Sequence, residues 1–268
     1  DLFSKHTEDR GIYLEYDGDK NGNRVPDPDE IGIHKLKGDG DFRSKECVDL
    51  LKHADVVVTN PPFSLFREYV EQLVKYKKKF LIIGNHNAIT YKEIFGLIKE
   101  NKMWLGYSHP VAFMVPDHYE MREVRSWRDD DGNNWRSLGN ACWFTNLDIA
   151  KRHEDLTLYR NFDRKLYPKY DNYGAIEVST YKDIPIDFEG VMGVPVTFLE
   201  HHNPDQFEIV GTTESNDPAN ACRTRFYTSK ECHDAYRKRF GKPGVYDLNA
   251  SGVVNGVKLF KRVLIRKK

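Results

Sequence analysis

The chain has no excess charge of either sign: 41 Lys and Arg stand against 41 Asp and Glu in 268 residues. Overall charge therefore does not mark it as a binder of polyanions. Cysteine is scarce. Cys47, Cys142, Cys222 and Cys232 lie far apart with no CxxC spacing. That excludes a disulfide framework and a cysteine zinc site, and fits a reducing, cytoplasmic compartment. The ten histidines form no HExxH, so no metal ligand set is expected. His201 and His202 are adjacent and read as surface residues. No apolar run approaches the ~20 residues of a membrane span, and the start is not a signal peptide. Repeats and low-complexity tracts are absent. A soluble protein with no membrane partner is expected.

What is present is unevenly distributed. Residues 1–50 carry 8 basic and 13 acidic side chains, whereas residues 221–268 carry 13 basic and 3 acidic. A locally basic end is what matters for phosphate contact. The length suits one large domain or a core with a smaller lobe. A hairpin is expected over 11–36, turning through Asp17 to Asn23. The Asp17-x-Asp19-x-Asn21-Gly22 spacing also matches the first half of a calcium loop. Its twelfth position is Pro28 rather than a bidentate glutamate, which favours the plain turn.

From residue 36 to 100 the pattern reads strand, helix, strand, helix, strand, helix. Ser44 caps the first helix, an amphipathic stretch from Ser64 to Tyr76 forms the second, and a Thr90 capping box opens the third. This alternation implies a parallel sheet covered by helices. Further strands are expected at 104–107, 112–115 and 142–145. After about residue 150 short strands at 174–178, 194–199 and 207–211 dominate. Residues 212–250 read as turn-rich, and a hairpin turns at Asn255-Gly256. The fold class is α/β, divided into a core over 1–150 and a smaller strand- and loop-rich part over 151–268.

One corner carries the chemistry. Residues 55–59, Asp55-Val56-Val57-Val58-Thr59, read as a buried strand, and it stops at Asn60-Pro61-Pro62-Phe63. Two prolines lack backbone N–H groups and fix φ, so the ladder must end there. The residue before each proline is held extended. The carboxyl ends of strands in open α/β sheets are where ligands bind. An amine on an aromatic ring is a poor nucleophile, and two fixed acceptors favour its tetrahedral form. The Asn60 side-chain oxygen and the Pro61 carbonyl can supply them. Phe63 can stack on the ring, worth roughly 1–3 kcal/mol per base. With a sulfonium methyl as electrophile, positioning and electrostatics suffice.

The corner resembles the fourth motif of S-adenosylmethionine-dependent amino-methyltransferases, (Asp/Asn/Ser)-Pro-Pro-aromatic. Longer blocks are similar to the EcoRI-type adenine-specific DNA methyltransferases. They are Leu36-Lys-Gly-Asp-Gly-Asp-Phe-Arg-Ser44, Ala54 to Tyr69, Lys79 to Glu93, Leu138 to Leu147 and Gly190 to Leu199. The resemblance implies a Rossmann-like class I methyltransferase sheet with a C-terminal DNA-recognition part. It implies S-adenosyl-L-methionine as cofactor and double-stranded DNA as partner. Asn60, Pro61, Pro62 and Phe63 would hold a flipped-out adenine. Asp41 and Phe42 match the third motif and would meet the cofactor's adenine, with Asp39 in the same turn. Trp143 or Phe144 would supply a second wall for the target base, and Asn85 to Asn87 would shape the pocket. The glycine-rich first cofactor loop has no match upstream of residue 36, so the chain is expected to begin downstream of that motif. Two other readings share the corner: a methyltransferase for a protein glutamine, and a DNA-binding or assembly module without the cofactor loop.

Overall fold

The computed structural model describes residues 10–109, 111–121, 123–213, 222–241 and 253–268. They fall into two compact units. One comprises Ser64–Phe80 and the described residues up to Val58, the other Thr59–Phe63 and the described residues from Leu81 onward.

In the first unit β1 (Ile12–Tyr16) pairs antiparallel with β2 (Ile31–Lys35). The loop between them uses its carboxylates on its own amides. Asp19 accepts from the N–H groups of Gly22 and Arg24, each at 2.6 Å, and Glu30 from that of Lys20 at 2.7 Å. The expected strand from Leu36 is replaced by a bend. The Gly11 N–H donates to the Gly38 carbonyl at 2.7 Å and ends the ladder. A Cβ on Gly11 would lie 2.9–3.0 Å from the backbone of Asp39 and Gly40, so only glycine permits that approach.

Helix α1 (Lys45–His53) begins where expected, with Ser44 accepting from the Cys47 N–H at 3.2 Å. Strand β3 (Val56–Thr59) follows, and then α2 (Phe66–Lys75). The helix buries Phe66, Val70 and Leu73 on one stripe, each worth roughly 1.5–3 kcal/mol. Strand β3 departs from expectation. Val56 is 42% and Val58 64% exposed, so the strand is covered on one face only. An apolar run cannot by itself say whether both faces of a strand are packed.

Strand β4 (Lys79–Asn85) enters the second unit at Leu81, and the chain goes on through α3 (Lys92–Lys99), β5 (Trp104–Leu105), β6 (Ala112–Val115), β7 (Ser126–Arg128), β8 (Asn134–Ser137) and β9 (Ala141–Thr145). Strand β9 pairs antiparallel with both β4 and β5, which returns it to the sheet as the sequence suggests. Strands β6, β8 and β7 form a separate antiparallel ribbon. Helix α3 is not opened by a capping box. Its N-cap is Tyr91, and the Thr90 hydroxyl donates to the Asn87 carbonyl at 2.8 Å. The chain is still in a 3-10 turn, His86–Thr90, at that point.

The remainder holds β10 (Ala175–Glu177), β11 (Val191–Pro195), β12 (Phe207–Thr212), α4 (Ser229–Phe240), β13 (Val253–Val254), β14 (Val257–Lys258) and β15 (Arg262–Lys267). The main sheet has the order β10-β11-β15-β12, with β10–β11 parallel and the other two pairs antiparallel. Its buried residues include Ile176, Met192, Val194, Phe207 and Val263 to Ile265. The basic C-terminal stretch is thus a central strand. The strand expected at 194–199 lies earlier, and Val196–His201 turns as 3-10 helix instead. Helix α4 replaces part of the expected turn-rich region. Its Thr228/Glu231 capping box and the Gly241 cap at φ 66° are both standard signals. His202 is buried rather than superficial, because its Nε2–H donates to the Phe207 carbonyl at 3.0 Å. The described residues make a mixed α/β protein with several small sheets and four α-helices. None of those helices is long and apolar enough to cross a membrane.

Candidate functional site

In the first unit the turn after β2 is fixed from within. The Asp39 carboxylate accepts the Asp41 N–H at 3.0 Å. Asp41 in turn takes a fork from Arg43, with Nε–Oδ1 at 2.9 Å and Nη2–Oδ2 at 2.5 Å, and also the Arg43 N–H at 2.8 Å. The Arg43 fork, more than any other influence, holds the Asp41 carboxyl down at a pKa of about 2. Asp41 is therefore an ionised acceptor at any physiological pH.

Helix α2 anchors this turn. Glu68 pairs with Arg43 at 3.4 Å, Tyr69 meets the Phe42 ring edge-on at 5.0 Å, and Gln72 donates to the Phe42 carbonyl at 2.9 Å. Arg43 also lies 5.3 Å from the centre of the Phe42 ring. Asp39, Asp41 and Phe42 thus share one turn. Arg43, Glu68, Tyr69 and Gln72 were not singled out from the sequence. The signal for Glu68 and Gln72 was available, since residues four apart share a helix face.

Asn60 to Pro62, in the second unit, are irregular, and the chain then passes through a 3-10 turn, Phe63–Leu65, into α2. Both proline bonds are trans. Pro61 is buried, whereas Asn60, Pro62 and Phe63 are exposed, with Phe63 at 44%. The corner presents the Asn60 amide and the Phe63 ring at the surface, on a buried Pro61.

Trp143 and Phe144 are neighbours on β9, so they point to opposite faces. Phe144 is fully buried. Trp143 is half-buried and packs so closely on Gly106 that a Cβ there would lie 2.5 Å from the Trp143 Cβ. Of the two, only Trp143 has surface to offer a ligand. Asn85 ends β4 and its side chain accepts the Asn87 N–H at 2.9 Å.

The four cysteines are free thiols. Burial pushes Cys142 up to about 12, which removes it as a nucleophile. Much of the basic C-terminal segment is committed to structure. Arg262 pairs with Glu177 and Arg266 with Glu208, both at 2.7 Å, and Arg225 with Asp171 at 3.0 Å. Arg237 and Lys238 in the last turn of α4 are exposed.

The exposed Asn60 amide and Phe63 ring follow β3 at a corner that contains two trans prolines. A family model described as adenine-specific methyltransferase EcoRI matches residues 1–268. The type II methyltransferase M.EcoRI of Escherichia coli is 53% identical over 212 residues, which are 77% of this chain and 64% of that protein. The type II methyltransferase M.MgeORF184P of Mycoplasma genitalium is 42% identical over 69% of this chain and 60% of its own. M.MpnI of Mycoplasma pneumoniae is 40% identical, with the same coverage of 69% and 60%. The chain belongs to the EcoRI-type adenine-specific methyltransferase family. It spans 64%, 60% and 60% of the length of these three relatives. No solved structure matches it.

Proposed function

We propose that this chain is the catalytic and target-recognition part of a site-specific DNA adenine-N6 methyltransferase. The observation that carries the reading is the exposed Asn60-Pro61-Pro62-Phe63 corner in a chain matched by the adenine-specific family over residues 1–268. Asn60 accepts from one hydrogen of the adenine amino group and the Pro61 carbonyl from the other. That pair favours a pyramidal nitrogen with its lone pair free to attack. Phe63 stacks on the base, with Trp143 as its second wall. The adenine must leave the duplex to reach them.

S-adenosylmethionine, when bound, supplies the electrophilic methyl group. The residues on its proposed adenine side fit it. Asp41 is ionised and only partly buried, so it can accept from an exocyclic amine, and Phe42 is held at a set angle by Tyr69. A Rossmann-like arrangement of the core over 1–150 and target recognition by 151–268 complete the reading. Double-stranded DNA is the substrate, with the exposed cations of α4 among its phosphate contacts. A cytoplasmic location accords with the free thiols.

The test is transfer of tritiated methyl to DNA. Asn60→Ala abolishes transfer and leaves DNA binding nearly unchanged. Label on DNA from that variant at the wild-type rate would remove the corner from the mechanism. Label on a protein glutamine instead of DNA would replace the substrate.

A further inference from the structure

Three side chains of the second unit converge beside the end of β4. His86 opens the 3-10 turn after β4, His109 lies in the loop after β5, and Glu200 lies in the 3-10 turn after β11. The Glu200 Oε1 atom is 3.6 Å from His86 Nε2 and 3.7 Å from His109 Nδ1. One ligand atom from each residue lies within 4.8 Å of the other two. The two rings are inclined by 58° at a centroid separation of 5.2 Å, so they converge rather than stack.

These separations are too long for hydrogen bonds. They are close to the edge of a small coordination tetrahedron. Ligands about 2.0–2.2 Å from one zinc-sized ion stand roughly 3.3–3.6 Å apart. The buried His86 Nε2 has no hydrogen-bond partner. A buried imidazole nitrogen left so is costly unless something else occupies its lone pair. The His86 backbone is meanwhile pinned, its N–H donating to the Asn140 carbonyl at 2.6 Å. The nearby cation Lys151 is directed elsewhere, onto the Tyr107 carbonyl at 3.2 Å.

We propose that His86, His109 and Glu200 bind one divalent transition-metal ion of the zinc class. Two imidazoles and a carboxylate suit zinc and its neighbours and not calcium or magnesium. Three protein ligands leave a fourth position for water. The ion fastens the end of β4, the loop after β5 and the turn after β11 to one another. It stabilises the second unit. Sequence spacing gives no sign of the site, because its ligands come from three distant segments.

The experiment is titration of the metal-stripped protein with cobalt(II), followed by its visible d–d bands, together with zinc content after dialysis. One ion per chain, with the strong absorption of tetrahedral cobalt, is expected. His109→Ala and Glu200→Gln should abolish both signals while retaining the far-UV circular dichroism of the wild type. His109 is exposed, so its removal spares packing. Zinc should also raise the melting temperature of the wild type and not that of His109→Ala. Failure of the wild-type protein to retain zinc or to develop the cobalt band would overturn the proposal. So would equal binding by both variants.

Discussion

Arg262 on the central strand β15 reaches Glu177 on the edge strand β10, across the intervening β11, with Nη2 2.7 Å from Oε1 and each side chain only 15% exposed. The guanidinium Nε donates to the same carboxylate at 3.0 Å, and the Tyr170 hydroxyl donates to its other oxygen. The pair ties one edge of the four-stranded sheet to its centre. Arg262→Ala leaves a largely buried carboxylate without its cation and should destabilise the protein by roughly 3 kcal/mol. Urea unfolding of the two proteins measures it. Glu177→Gln combined with Arg262→Met should recover part of that loss, because the cost lies in the unpaired charge.

Tyr170 also dictates the residue at 193. A Cβ on Gly193 would lie 2.1 Å from the Tyr170 oxygen and 2.7 Å from its ring carbons. Tyr170 is itself buried and bonded to Glu177, so it cannot yield cheaply. Gly193→Ala should cost about 1–3 kcal/mol. Tyr170→Phe in the same background should relieve part of it by removing the nearest atom. Thermal melts of the single and double variants test the coupling.

Local signals were legible where the sequence fixes backbone geometry. Ser44, the Asn60-Pro61-Pro62 stop and the Asn255-Gly256 turn all sit where the residues demand, the last with φ of 52° and 68°. Helix α4 carries the same kind of signal at Thr228 and Glu231, but its basic composition masked it. The exposure of Val56 and Val58 and the buried place of β15 were not legible, because both depend on what packs against a strand. For the candidate site, residue types were readable while their supports were not. Asp41 was identified from a motif, but the Arg43 fork and the α2 anchors arise only when distant turns meet.

His202 makes stability depend on pH. Burial, above all, lowers its pKa to about 4, against the effect of its bond to the Phe207 carbonyl. The unfolded chain, with an ordinary histidine near 6.5, then binds more protons than the folded one between about pH 4 and 6.5. Stability is therefore full above about 6.5 and falls as the pH drops towards 4, by up to ~3 kcal/mol. In His202→Gln the amide can keep the donor without titrating. The difference in urea midpoint between pH 7 and pH 5 should be smaller in that variant than in the wild type. Equal differences would mean that another group governs this window.

Asp41 leads to the prediction that separates cofactor binding from binding of the target base. Its carboxylate is held ionised by Arg43, so its capacity to accept from an adenine amino group should not change between pH 8 and pH 5. Loss of this charged acceptor in Asp41→Ala should weaken S-adenosylmethionine binding by about ten-fold or more. Asn60→Ala, which alters only the acceptor for the target amine, should leave that affinity unchanged. Calorimetric titration of both variants with the cofactor reads the two effects directly. Because Asp41 is also the partner of Arg43, Asp41→Asn is the informative control. It keeps an acceptor oxygen but loses the charge, so its affinity should fall between those of wild type and Asp41→Ala. An Asp41→Ala protein that binds the cofactor as tightly as wild type would show that this turn serves only to seat Arg43 on α2.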